Sequence, residues 1–192
     1  MAVITLPHLV WKPSPNHYAG RNGAHPTGIV IHETEGAYAG AVGWFEQAKS
    51  QVSAHFVVNE DGTEVTQMVA YADAAWHAVN ANPYTIGIEM AGEKANPLKP
   101  AQIQATANLV AFLCHRFGIK PAYTEHAMGG IATHKQLGVF GGGHVDPDSP
   151  NWNDTTFINE VNAALKTHTF PANYGLVIGR TTTDARSRCE SL

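Results

Sequence analysis

The chain has 192 residues, with 12 Lys plus Arg against 16 Asp plus Glu, a formal charge of −4 and 44% apolar residues. Its mass of 20.6 kDa corresponds to roughly 8,900 Å² of folded surface against roughly 30,000 Å² unfolded, so one substantial core and a single domain are expected. Mild negative charge excludes charge-driven nucleic-acid binding, the apolar content excludes disorder of the whole chain, and no apolar run approaches the ~18 residues of a membrane span.

The stretch 1–9 has neither a basic segment nor a sustained apolar one, so no secretory signal is expected. Cys114 and Cys189 are too few for a disulfide framework or a Cys-rich zinc site. The 11 histidines are the unusual count, because imidazole is both the commonest metal ligand and the proton carrier of neutral pH.

In chain order, residues 1–27, with Pro7, Pro13, Pro15 and Pro26, read as an irregular lead-in with a turn at Asn22-Gly23. Residues 28–32 (GIVIH) form a buried strand. A helix is predicted over 37–49, weakened by Gly40 and Gly43. Residues 53–59 and 64–70 pair as a hairpin, with Asp61-Gly62 as its turn. Residues 85–90 (TIGIEM) are a further strand. The clearest helix is 100–117, where Ile103, Leu109, Val110, Leu113, Cys114 and Phe117 share a face and Gly118 follows as the stop. Residues 121–153 read as one long connection, of a length that is uncommon unless functional. A last helix carries the stripe Phe157, Ile158, Val161, Ala164 and Leu165, with Asp154 as N-cap. Within the tail 168–192, residues 175–180 (GLVIGR) are a candidate edge strand. Interspersed strands and helices predict an α/β or α+β single domain, a mixed sheet with helices packed on it.

His32 ends an apolar strand, where ligand crevices open in such sheets. His144 follows three glycines, and Asp154 comes ten residues later at a helix start. Two imidazoles and a carboxylate suit a catalytic zinc with one position open to water. The alternative reading is a structural strand-end histidine and an N-cap aspartate. Glu89, between Ile88 and Met90, is either a desolvated general base or the water-facing residue of an edge strand with period-2 patterning. Trp76-His77 suits the floor of a sugar or peptide pocket, or the core. His134 is a polar candidate without a decisive local signal. His8, His17, His25, His115 and His168 form no constellation, and Cys114 on the core face of its helix is expected to be inert.

Five segments stand in a telling order: GIVIHET around His32, VSAHFVVNEDGTEVTQMV over 52–69, AAWHAV over 74–79, TIGIEMAG over 85–92 and GGGHVDPDSPNWND over 141–154. Together they resemble the zinc-dependent N-acetylmuramoyl-L-alanine amidases, the family of phage endolysins, muropeptide-recycling amidases and peptidoglycan recognition proteins. The resemblance covers about residues 25–167. It implies a mixed sheet flanked by helices, with Zn²⁺ in a surface cleft held by His32, His144 and Asp154. It implies Glu89 as the catalytic carboxylate, Trp76 and His77 beside the substrate groove, and no metal role for His55. Many members carry a Lys, His or Thr two residues before the carboxylate ligand, where it stabilises the oxyanion. With Asp154 as ligand that place holds Trp152, whose indole N–H offers one hydrogen bond; His134 is the alternative.

The implied activity is hydrolysis of the amide between N-acetylmuramic acid and L-alanine in bacterial peptidoglycan by a monomer that binds no nucleic acid and inserts in no membrane. A catalytic domain over 1–167 and a tail or linker stub over 168–192 complete the expectation. Without a signal peptide, the reading is a phage lytic enzyme made in the host cytoplasm and released to the wall, or else a cytoplasmic recycling amidase. Rival readings are a silent peptidoglycan-binding module of this fold, a zinc peptidase of the cell wall, and a globular protein with incidental histidines.

Overall fold

A computed structural model describes residues 1–21 and 25–179. The expected Asn22-Gly23 turn, Cys189 and the distal tail lie outside the described residues. Strands β1 (Ala2–Val3), β2 (His8–Trp11), β3 (His17–Tyr18) and β4 (Gly28–Glu33) precede helix α1 (Tyr38–Phe45). Then come β5 (Phe56–Val58), β6 (Glu64–Gln67), β7 (Ala74–Ala75), a 3₁₀ segment (Val79–Tyr84), β8 (Thr85–Met90) and α2 (Pro100–Phe117). The chain closes with β9 (Ile131–Thr133), the short α3 (His134–Leu137), α4 (Asp154–Thr167) and β10 (His168–Thr169).

Six strands form the central sheet in the order β2-β6-β5-β8-β4-β9. The β5/β6 hairpin is antiparallel and the other neighbours are parallel, so the sheet is mixed, as expected. The hairpin turns at Gly62, whose φ of +73° a side chain would resist. Pairing register sets Ile29 beside Ile86 and Ile131, and Ile31 beside Ile88. This face packs under α2 and α4 in the largest apolar cluster, with Leu109, Val110, Leu113, Phe157 and Val161. Period-2 alternation turns His32, Gly87 and Glu89 to the opposite face.

Helix α2 has the predicted limits, with Pro100 in its first turn and Gly118 at φ +69° after its last residue. Five expectations are corrected. The first helix stops at Phe45, because Ser14 Oγ and Asn16 Nδ2 donate to the Phe45 carbonyl and Asn16 Nδ2 also to that of Gln47. These long-range donors take carbonyls that another helical turn would have used. Asn153, not Asp154, caps α4, its side chain accepting from Thr156 N at 2.8 Å. Residues 121–153 are not one connection: they hold β9 and α3, and a capping box between Thr133 and Gln136 starts α3. The lead-in also contributes an edge strand, β2. The stretch 175–179 forms no strand, although the carbonyls of Val177 and Ile178 accept from Tyr71 N and Ala72 N.

Candidate metal centre and its cleft

Strands β4 and β8 run parallel and in register, so His32 lies beside Glu89 at their carboxyl ends. Strand β9 pairs with the other side of β4, and His134 follows directly as the first residue of α3. Three sheet neighbours thus aim chemistry-bearing side chains at the same end of the sheet.

The third donor comes from the loop before α4. His32, His134 and Asp146 bring one ligand atom each within 4.8 Å of one another, the group of this kind found among the described residues. His32 Nδ1 lies 3.0 Å from His134 Nδ1. Asp146 Oδ2 is 3.4 Å from His32 Nδ1, and Asp146 Oδ1 is 3.0 Å from His134 Nδ1. Glu33, next to His32, pins the loop that carries Asp146. Its carboxylate accepts from the backbone N–H groups of Asp148 and Ser149 and from the Ser149 hydroxyl. Glu33 N donates in turn to Asp146 Oδ2.

The donor set fits a divalent cation. His134 Nε2 faces the Gly141 carbonyl at 2.9 Å. A carbonyl only accepts, so Nε2 carries the proton and Nδ1 turns a lone pair towards Asp146 and His32. Burial pulls the His32 imidazole down to about 4 against the opposing hydrogen bond of Asp146, which leaves it neutral and able to ligate near neutral pH. Two imidazoles and a carboxylate with one side open is a catalytic zinc set.

These donors sit in a cleft of about 700 Å³, also lined by Glu35, Trp44, Trp76, His77, Glu89 and His144. Glu89 is half-buried, and its Oε2 is shielded from solvent without a hydrogen-bond partner. Burial, reinforced by Asp146 and Glu33, pushes this carboxyl well above its ordinary value. Strand β8 is interior, between β5 and β4, so the water-facing edge reading of Glu89 does not describe it. Trp76 lines the cleft and lies 5.3 Å from the exposed Tyr18 ring. His77 also lines the cleft, but both its ring nitrogens are engaged, with His32 and Thr85.

The expected trio of His32, His144 and Asp154 does not converge. His144 stacks on His134, with centroids 4.6 Å apart, as part of the cleft wall. Asp154 accepts from Trp152 Nε1 at 2.6 Å and from Gln136 Nε2 at 2.9 Å, outside the donor group. Trp152 packs on Phe157 on the helical side of the sheet and does not line the cleft. His55, given no metal role, lies in the interior, where its Nδ1 accepts from Gly87 N.

Sheet order, cleft and donor group together define an α/β domain with a set of side chains that could hold a metal ion at the mouth of the sheet. Residues 22–149 match the N-acetylmuramoyl-L-alanine amidase family, and the chain belongs to that family. The matched segment contains His32, Glu89, His134, His144 and Asp146 and ends before Trp152 and Asp154. The chain is 36% identical over 115 residues to N-acetylmuramoyl-L-alanine amidase A of Achromobacter lyticus. That match spans 59% of this chain and 65% of the relative, just under two thirds of its length. The fold is shared with the hydrolase AmiA of Staphylococcus aureus, at TM-score 0.70 and 22% identity over 84% of this chain and 85% of that one. It is shared too with the amidase LysC of Clostridium intestinale, at TM-score 0.64 and 19% identity over 81% of this chain and 98% of that one.

Proposed function

We propose that this protein hydrolyses the amide between the lactyl group of N-acetylmuramic acid and L-alanine in peptidoglycan, with Zn²⁺ held by His32, His134 and Asp146. The observation that carries this reading is the convergence of those three donors in a cleft that also holds Glu89. Family membership supports the choice of bond.

A bound zinc supplies Lewis-acid polarisation of the scissile carbonyl and acidifies water. Glu89 takes a proton from the attacking water on its unpartnered Oε2 and passes it to the nitrogen of the departing alanine. Burial raises its affinity for protons, which suits the acceptance of that proton. His144 supplies a ring N–H to the carbonyl oxygen as negative charge develops there. It stands two residues before Asp146, the place the family resemblance gives to the oxyanion-stabilising group. Trp76 and Trp44 present flat apolar surface along the cleft, on which sugar or peptide can lie.

The proposed role is lysis of intact wall, in the manner of a phage lysin, and recycling of soluble muropeptides is the competing outcome. Elemental analysis is expected to give one zinc per chain, and mass spectrometry of digested sacculi to show new N-terminal alanine. No stoichiometric zinc, or a new amine elsewhere in the stem or cross-bridge, overturns the reading. Faster loss of whole-cell turbidity than turnover of soluble muropeptides supports the lytic role; the reverse supports recycling.

A further inference from the structure

His32 Nε2 lies 2.9 Å from His77 Nδ1. His77 Nε2 lies 3.2 Å from Thr85 Oγ1, and Thr85 Oγ1 donates to the Ala81 carbonyl at 2.7 Å. The direction of this chain follows from its far end. The Ala81 carbonyl only accepts, so the single hydroxyl proton of Thr85 goes there. Thr85 Oγ1 is then an acceptor towards His77, and His77 carries its proton on Nε2. In the neutral ring His77 Nδ1 is bare and accepts, so His32 is protonated on Nε2. What remains on His32 is the Nδ1 lone pair, aimed at His134 and Asp146.

The packing is arranged for this relay. Gly87 lies under the His77 ring, and a Cβ there would approach His77 Cγ to 2.5 Å. Asn82 Oδ1 accepts from the backbone N–H groups of His77 and Ala78 at 3.0 and 2.6 Å, which fixes where the ring starts. The β8 residues concerned, Thr85, Gly87 and Glu89, alternate onto one face of the sheet.

We propose that His77 is a positioning residue that, braced by Thr85, locks His32 in the Nε2-protonated tautomer and turns its Nδ1 lone pair to the metal. The inference rests on the reading of His32, His134 and Asp146 as a zinc site. It also gives the WH pair of AAWHAV a divided task, with Trp76 facing substrate and His77 facing the ligand behind it. Outer partners of this kind raise the basicity of a ligating imidazole and fix its ring, and their loss costs about 10- to 100-fold in metal affinity.

The test has two readouts. Zinc affinity is measured by competition with a chromophoric chelator for wild type, His77→Phe, His77→Asn and Thr85→Val, with circular dichroism to establish folding. Nitrogen-15 spectra of the histidine rings in metal-free wild type report the His32 tautomer. His77→Phe is expected to lose about 10- to 100-fold in affinity. His77→Asn, whose Oδ1 can replace Nδ1 as acceptor, is expected to recover most of that loss, and Thr85→Val to lose less than His77→Phe. Wild-type His32 is expected protonated on Nε2. An Nδ1-protonated His32, or a folded His77→Phe that binds zinc as tightly as wild type, overturns the proposal. If His77→Phe fails to fold, Thr85→Val and the wild-type tautomer decide. Failure of wild type itself to bind zinc counts against the proposed function, whereas the tautomer still tests the relay.

Discussion

The two faces of the central sheet use the same strands for opposite ends. Towards α2 and α4, Ile29, Ile31, Ile86, Ile88 and Ile131 are fully buried and apolar. One residue along in each of the two central strands, His32 and Glu89 face the cleft, with Gly87 leaving room for an imidazole. The first face binds the domain together by area removed from water. The second carries charge, lone pairs and an unpartnered carboxylate oxygen, features that cost stability and are held because the first face supports them. Fold and chemistry are separated here by one step of a period-2 pattern.

Substitutions on the two faces should therefore fail differently. Glu89→Gln is expected to lower kcat on purified sacculi by about 10²- to 10⁴-fold, with zinc content close to wild type and no loss of stability. Phe157→Ala, on the helical side, should remove about 3–5 kcal/mol of stability while the folded fraction keeps its zinc and kcat. Denaturant titration beside a turnover assay checks both. A Glu89→Gln enzyme with near wild-type turnover would remove the carboxylate from the mechanism.

The wall of the cleft comes next. Loss of one oxyanion-hole donor costs about 10²- to 10³-fold in kcat, and His144→Ala is expected in that range with zinc retained. Loss of zinc in His144→Ala would instead make His144 a ligand, the role that the sequence pattern alone suggested.

How the sequence misled at that point is instructive. The apolar face was legible apart from Ile131 of β9, which lay in the supposed connection: the strands 28–32 and 85–90, the stripe of α2 and the hairpin turn all follow from periodicity and turn chemistry. Glu89 was legible as a candidate but not as interior, because strand order is a non-local property. The predicted trio differs from the donor group that converges because the segment GGGHVDPDSPNWND offers three aspartates, and a spacing of ten from His144 favoured Asp154. Two local signals pointed elsewhere. The run Thr133-His134-Lys135-Gln136 has the pattern of a capping box, which puts His134 at a helix start directly after a short strand. Counting two residues back from Asp154 gives Trp152, a poor oxyanion partner, whereas counting back from Asp146 gives His144. The contribution of His77 could not be read at all, since it depends on Gly87 and Thr85 meeting it across the fold.

The carboxyl of Glu89 also sharpens the contrast between the faces through pH. In the metal-free protein its folded-state value is raised by burial first and by Asp146 and Glu33 next. Below the ordinary carboxylate range both folded and unfolded chains hold the proton, and its contribution is constant. Above that range the unfolded chain releases the proton while the folded one keeps it, so stability falls with rising pH until the folded group ionises. The slope is at most about 1.4 kcal/mol per pH unit for one group. Urea midpoints of wild type and Glu89→Gln should converge at low pH and separate from about pH 4 upwards, with wild type falling further. Parallel profiles would show that Glu89 is not desolvated.

The smallest expected effect discriminates most between the two ligand sets. Asp154 accepts from Trp152 Nε1 and Gln136 Nε2 and stands in the first turn of α4, where a negative charge meets the positive end of the helix dipole. Its replacement by Ala should cost about 1 kcal/mol and leave zinc content and kcat unchanged. Asp146→Ala removes a donor from a set of three, so zinc should be lost while α4 keeps its cap at Asn153. Because Asp154 touches Gln136 of α3, a modest change in zinc affinity could pass through that helix to His134. The comparison is therefore between a full loss at 146 and a change of at most a few-fold at 154, and a variant at 154 that emptied the site would return the metal to the other end of the loop.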